Sequence, residues 1–361
     1  MPSSEISGPA EAALASLTSS QVSFLQSLPK AELHAHLNGS IPISILEDLA
    51  HEFISSQGNA LDLTESTEML KAIERFKRGH ELKEILDFFG LFPMIYKLTS
   101  TPDALRRVTK AVLSDFLDGD RPQCTYLELR TGPRKTDAMS REEYMRAVLE
   151  EVERYDEDKV GLIMTLDRRT GPDFWEECLD IALKMKNEGR RLLGVDLAGD
   201  PTKSDVALFD TFFAEARKAG LGITLHIAET LENTPEETLQ LLSYRPDRLG
   251  HATFLNQEAM QIVMKDNAPI EICLTSNLLC KTATDLDNHH IQQYLKCNHP
   301  VAICTDDTLP FRTNLLAEYA LLFAARPLGL GLSEDEVRRV AEMSMESRFV
   351  ELLKVKDTSK S

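Results

Sequence analysis

The sequence predicts an α/β fold, an eight-stranded parallel (β/α)8 barrel of TIM type with a helical insertion after the first strand. Three observations predict it. Eight short runs rich in Val, Ile, Leu and Thr recur along the 361 residues, and helical patterns separate most of them. Each run also turns polar at its C-terminal end, where barrels of this kind build their active sites. The length would accommodate two average domains, but barrels use it as one, and no low-complexity segment or Pro/Gly-rich linker divides the chain. One domain over 21–361 follows. Residues 1–20, rich in Ser and Ala, read as a loose leader.

The first run is KAELHAHL (30–37). The stretch that follows, 41–120, is far longer than the usual connection of about 2 to 6 residues and looks helical in several pieces, so it is the insertion and is expected to form a lid beside the barrel mouth. CTYLELRT (124–131) is the second run, with the helical EEYMRAVLEEVERY behind it. VGLIMTLDR (160–168) and LLGVDLAG (192–199) come next; DVALFDTFFAEARKAG then ends in Gly220, as a helix stop should. The last four are GITLHIAE (222–229), RLGHA (248–252), IEICLTSN (270–277) and VAICTDD (301–307). In order, their ends supply His, Arg, Asp, Gly, Glu, His, Asn and Asp. Trp175, in DFWEECLD, reads as core.

A formal net charge of -18 repels nucleic acid and anionic membranes, so neither is an expected partner, and an anionic ligand requires a local basic site. No run of 18 or more apolar residues occurs, and the first twenty residues lack a basic start and an apolar core. Six cysteines form no C-x-x-C pair, and three sit in strongly apolar runs, which suits a reduced, cytoplasmic protein. A monomer acting on a small molecule is the expectation.

His34 and His36 are one residue apart in a strand, where side chains alternate, so both face the barrel interior. Alone, H-x-H is equally a hydrogen-bonded core pair. Other candidate ligands, however, end different strands: His226, His251, and Asp306 with Asp307. Adjacent carboxylates closing an apolar strand disfavour joint ionisation and favour a cation. Imidazoles and a carboxylate without thiolate suit zinc, with iron, cobalt or nickel chemically permitted. Glu229, three residues beyond His226, stands where a proton-transfer group would flank an activated water, or equally where a rim carboxylate would form a salt bridge.

HAHLNGS (34–40), DLAGDP (196–201), LHIAE (225–229), RLGHAT (248–253), CLTSN (273–277) and CTDD (304–307) together resemble the adenosine and AMP deaminase family, from about Leu28 to the last helix. The resemblance implies one zinc ion held by His34, His36, His226 and Asp306. It makes Glu229 the proton donor to purine N1 and His251 the group that orients and helps deprotonate the water, and it places His36, Gly199 and Asp307 among the substrate contacts. The H-x-E and P-C-x-x-C ligands of the other zinc deaminases are absent.

Adenosine deaminases usually carry an acid where this chain has Asn38, beside the sugar's 5′ end. Without that acid, a 5′-monophosphate is permitted. LELRTGPRK and LDRRTG resemble the subfamily of adenosine deaminase-like proteins, which convert N6-methyl-AMP and water to IMP and methylamine. That resemblance implies substrate contacts at Thr131, Gly132, Pro133, Arg134 and Asp167, with Arg134 as the phosphate's cation and Lys135 beside it. It also points to position 96, where Tyr96 stands in place of an expected histidine, while Gly132 replaces the usual Thr before Pro133. The competing readings are a plain adenosine or adenine deaminase and a catalytically silent nucleoside-binding protein.

Overall fold

A computed structural model describes residues 6–57, 63–79, 90, 92–201 and 206–358. Eight parallel strands form one sheet in the order β1 to β8: Ala31–His36, Tyr126–Thr131, Val160–Asp167, Leu192–Ala198, Gly222–Ile227, Arg248–His251, Ile270–Ile272 and Val301–Ile303. Helices alternate with the strands, so the fold is the TIM-type barrel that the eight apolar runs predict. Seven of the eight seams are ordinary parallel ladders. The eighth is short: His36 N–H donates to the Asp306 carbonyl at 3.0 Å, and the Glu32 carboxylate accepts from the amides of His34 and Thr305 at 2.8 and 2.9 Å. At this seam a side chain supplies bonds that a backbone rung supplies elsewhere, while on the other side of β1 its register against β2 shifts between Glu32 and Ala35.

Three expectations change. The seventh strand stops at Ile272, because Leu274–Leu279 coils into a helix, so LTSN belongs to a helical turn at the rim. The leader is not loose where the structure describes it. Gly8–Ala15 and Ser19–Ser27 are helices; Pro9 opens the first, and Ala10 and Ala13, one turn apart, bury it against the Leu315–Phe323 helix. Residues 1–5 of that leader lie outside the described residues. The 41–120 stretch divides in two. Pro102–Leu117, capped by Thr101, buries Leu105, Val108, Val112, Leu113 and Phe116 and packs beside Arg141–Val152 and β2 as a regular ring helix. Ile43–Gln57, Leu63–Arg78 and Phe92–Leu98 form the insertion proper. Positions 58–62, 80–89 and 91 of the stretch lie outside the described residues.

The core lies in two shells. Between barrel and helices the packing is apolar, and Trp175 is buried there against Phe209 (centroids 4.2 Å apart). Inside the barrel the packing is ionic: Glu32, Glu128, Arg130, Asp196, Arg248 and Glu271 are fully buried. Charges survive such burial only when paired and hydrogen-bonded. Arg248 accordingly reaches Glu128 and Glu271 at 2.6 and 2.7 Å, and Arg130 reaches Glu271 and Asp196 at 2.8 and 3.3 Å. Phe349 plugs the N-terminal end beneath them. A Cβ at Gly194 or Gly222 would come within 2.5 or 2.6 Å of its ring, and the Arg248 guanidinium stacks 3.8 Å from its centroid. With the bottom shut, the C-terminal mouth is left for chemistry.

Candidate functional site

A cavity of about 670 Å³ opens at that mouth. Its lining includes His36, Asn38, Tyr96, Thr131, Gly132, Pro133, Arg134, Asp167, Gly199, His226, Glu229, His251, Asp306 and Asp307, so residues singled out from seven strand ends and the insertion meet in one place. His34 stands directly behind them, fully buried.

Alternation along β1 sends His34 and His36 to the same side, and β5 presents His226 to both. Nε2 of His36 lies 3.3 Å from that of His34 and 3.2 Å from that of His226; Asp306 Oδ1 is 3.7 and 3.5 Å from His34 and His36. Tetrahedral ligands about 2.0 to 2.2 Å from one ion would stand about 3.3 to 3.6 Å apart. These four separations are close to those expected between ligands of a single tetrahedral ion. Burial pushes the His36 imidazole down to about 3 and His34 well below its ordinary range, which keeps both in the neutral form a metal requires.

The far nitrogens are held as well. His34 Nδ1 meets Glu271 at 2.6 Å and His226 Nδ1 meets Asp196 at 3.0 Å, the carboxylate-histidine arrangement that orients ligands. Glu271 also accepts from Thr224 Oγ1 at 2.9 Å besides the two arginines. Burial opposes ionisation of Glu271, but Arg130 and Arg248 overcome it and hold the carboxyl at about 2. Sequence reasoning missed these supports. Their signal was an acid within an otherwise apolar strand, as in IEICL, GVDLA and YLELR.

The rim is strained where it is most polar. Ala228, His251, Ala252 and Asp306 all have positive φ, from 47° to 62°, a region that costs non-glycine residues of order 1 to 3 kcal/mol each and that clusters at functional sites. His251 Nε2 lies 3.5 Å from Glu229 Oε1, and neither ring nitrogen has a hydrogen-bond partner among the described residues. Asp307 Oδ1 is likewise buried without one. Burial, with Asp306 next to it, pushes the Asp307 carboxyl well above its ordinary range. Gly39 makes this packing possible, since a Cβ there would overlap the Asp307 carboxylate.

Farther out the lining turns basic: Lys97, Arg134, Lys135, Arg141 and Arg169. Arg134 ties the mouth to the insertion. It donates to the Tyr96 carbonyl at 3.0 Å and Thr99 Oγ1 at 2.7 Å, and its guanidinium lies 4.4 Å from the Tyr96 ring centroid. Its Nη2 is also 3.5 Å from Asn38 Oδ1, and it has no carboxylate partner among the described residues. Asp167 is paired with Arg169, at 2.9 and 3.0 Å from Nε, an arginine that sequence reasoning did not single out.

Converging imidazoles, a pair of adjacent buried carboxyls and a histidine beside Glu229 at the mouth of a closed-bottom barrel define the class, a barrel hydrolase. The chain belongs to the adenosine deaminase family, whose model matches residues 29–357, and with it to the hydrolytic purine deaminases. It is 32% identical to the N6-mAMP deaminase of Arabidopsis thaliana over 355 residues, 91% of this chain and 94% of the relative. It is 35% identical to the N6-Methyl-AMP deaminase of Homo sapiens over 312 residues, 82% and 83% of the two chains. The crystal structure of the Arabidopsis protein complexed with GMP superimposes with a TM-score of 0.80 at 32% identity, covering 94% of this chain and 99% of that one.

Proposed function

We propose that this chain hydrolyses N6-methyl-AMP to IMP and methylamine, with one zinc ion held by His34, His36, His226 and Asp306. The observation that carries the nucleotide reading is Arg134. In a chain of net charge -18, it puts beside Asn38 a guanidinium with no carboxylate partner among the described residues, near four further basic side chains, of which Arg141 and Arg169 are ion-paired. The names of the Arabidopsis and human relatives support the N6-methyl substituent.

When bound, the ion supplies the Lewis acidity that lowers the pKa of water to about 7. The remaining steps belong to the chain's own residues. His251 orients the attacking water through a free ring nitrogen and takes up its proton. Glu229, 3.5 Å away, donates a proton to purine N1, which lets the ring accept attack at C6; His251 then returns the proton it took to the departing nitrogen while the C6 hydroxyl gives its proton to Glu229, so the amine leaves as a neutral molecule. Protonated Asp307 donates to the ring, and the backbone of Gly199, at φ +97° and with no room for a Cβ beside Asp167, contacts the purine. His36, Thr131, Gly132 and Pro133 line the path to the sugar, and Tyr96 covers it from the insertion. Asp167, neutralised by Arg169, takes part without repelling phosphate.

We also read the enzyme as a cytoplasmic monomer. Five of its six cysteines are buried free thiols, which suits a reducing compartment; no described helix is long and apolar enough to cross a membrane. Methylamine and ammonia release from N6-methyl-AMP, AMP, N6-methyladenosine and adenosine tests the substrate assignment. Preference for an unphosphorylated nucleoside overturns it.

A further inference from the structure

His251 differs from the other histidines of the mouth in what holds it. His34 and His226 are each fixed at Nδ1 by a carboxylate, whereas the His251 ring, 1% exposed, has no hydrogen-bond partner among the described residues. The imidazole packs against the rings of His34 and His226, centroids 4.9 and 5.1 Å away, with Glu229 3.5 Å from Nε2, and beyond those contacts its direction is set by its backbone. That backbone lies in the left-handed region, at φ +61° for His251 and +49° for Ala252, and such a conformation persists only when its surroundings hold it.

Two neighbours do so: the end of β5, whose Ile227 and Ala228 carbonyls accept from the amides of Ala252 and Thr253 at 3.1 Å, and one short segment between β7 and β8. His290 Nε2 donates to the His251 carbonyl at 2.9 Å, and the Tyr294 hydroxyl donates to the Ala252 carbonyl at 3.2 Å. A carbonyl oxygen carries no proton, so Nε2 of His290 must. The ring stacks on His289, centroids 4.4 Å apart and planes 20° from parallel. His289 is oriented in turn. Its Nδ1 accepts from the Ile291 amide at 3.1 Å, so its Nε2 donates to Asn277 Oδ1 at 3.1 Å, and Asn277 Nδ2 donates to Thr282 at 3.0 Å. A continuous support thus runs from the turn after β7, through two stacked imidazoles, to the backbone of His251.

We propose that His290, seconded by Tyr294, is a positioning residue for His251: its N–H holds the His251 carbonyl in the left-handed turn and so aims the imidazole at the reacting water. The proposal rests on the role given to His251 above. Burial pushes the His290 imidazole down to about 4, so it remains a neutral donor at physiological pH.

The test uses full-length, zinc-loaded protein. His290→Phe keeps an aromatic ring on His289 but removes the donor, and His290→Gln returns an N–H at a similar reach. For N6-methyl-AMP, His290→Phe should lower kcat about tenfold or more while KM moves less than about threefold, and His290→Gln should recover most of the loss. Zinc content and IMP affinity should match the parent protein in both. Equal losses in Phe and Gln, a change confined to KM, or unchanged kcat in the Phe variant overturns the proposal. If His290→Phe does not fold, Tyr294→Phe, which removes one hydroxyl, carries the test: a kcat loss at constant KM supports the proposal and unchanged kcat overturns it. His251→Asn separates the premises. Unchanged kcat there defeats the role of His251 itself, whereas a large loss there with intact His290→Phe defeats the positioning alone.

Discussion

Asn38→Asp changes one atom of the side chain, and the structure indicates what that atom should do. Asn38 Oδ1 lies 3.5 Å from Arg134 Nη2, and Asn38 Nδ2 donates to the Tyr144 hydroxyl at 3.2 Å. A carboxylate there keeps the shape, turns the Tyr144 hydroxyl from acceptor to donor, and leaves Thr131 Oγ1, 2.7 Å from that hydroxyl, able to donate in its place. The fold therefore loses little. The new negative charge pairs with Arg134 and opposes an incoming phosphate. At 3.5 Å, opposite unit charges interact by about 1 kcal/mol at the dielectric of water and about 5 kcal/mol at an effective dielectric of about 20. The mouth lies between those limits, so kcat/KM for N6-methyl-AMP should fall about 10- to 100-fold, each tenfold being about 1.4 kcal/mol. For N6-methyladenosine the change should stay within about threefold. Steady-state methylamine release from the two substrates, at fixed ionic strength, measures both. Equal losses would refute the reasoning, because they would locate the phosphate away from Asn38 and Arg134.

Glu229→Gln should lower kcat by about 10²- to 10⁴-fold while zinc content and IMP affinity hold, as atomic absorption and calorimetry would show; retention of more than a tenth of the activity would count against N1 protonation by this acid. Glu271→Gln takes a charge from a carboxylate shared by His34, Arg130, Arg248 and Thr224. Zinc affinity in chelator competition should drop about 10- to 100-fold, and urea unfolding should show a loss of about 3 to 5 kcal/mol, since buried arginines lose their partner. Glu318 is fully buried, and burial raises its carboxyl to about 7 despite hydrogen bonds from Thr275 and Thr313. A carboxyl whose folded pKa is raised binds more protons folded than unfolded, so its contribution is complete below about 4.5 and is lost as pH rises through about 7. That window corresponds to about 3 kcal/mol. Glu318→Gln, which imitates the protonated acid, should flatten the stability profile between pH 5 and pH 7.5, and an unaltered slope would show that Glu318 is ionised throughout.

All eight strands were legible because each joins a short apolar run to a polar end, and the mouth was legible because those polar ends converge in any barrel. The supports of the site were harder to read. Glu271 and Asp196 resemble interruptions of apolar strands until Arg130 and Arg248 arrive from elsewhere in the chain, and that pairing is not local. Arg169 showed as a charged neighbour of Asp167, but its place over the cavity comes from the fold. The first helix was missed for a different reason. Its Pro-started, Ala-rich pattern is short and weakly amphipathic, and its burial comes from the distant Leu315–Phe323 helix. LTSN was misassigned because a short apolar run does not distinguish a strand from the opening turn of a helix.

The short seam between β1 and β8 bears on how the protein is made. Two of the four ligand positions leave the ribosome near the start of the chain and Asp306 only near its end, and the His36–Asp306 rung with the Glu32 bridge joins those ends. Through most of synthesis the hoop has no last stave, so a nascent chain or a C-terminal truncation before this point lacks both its closing contact and its fourth ligand. On the proposed ligand set, completing the barrel and completing the ion site are therefore one event.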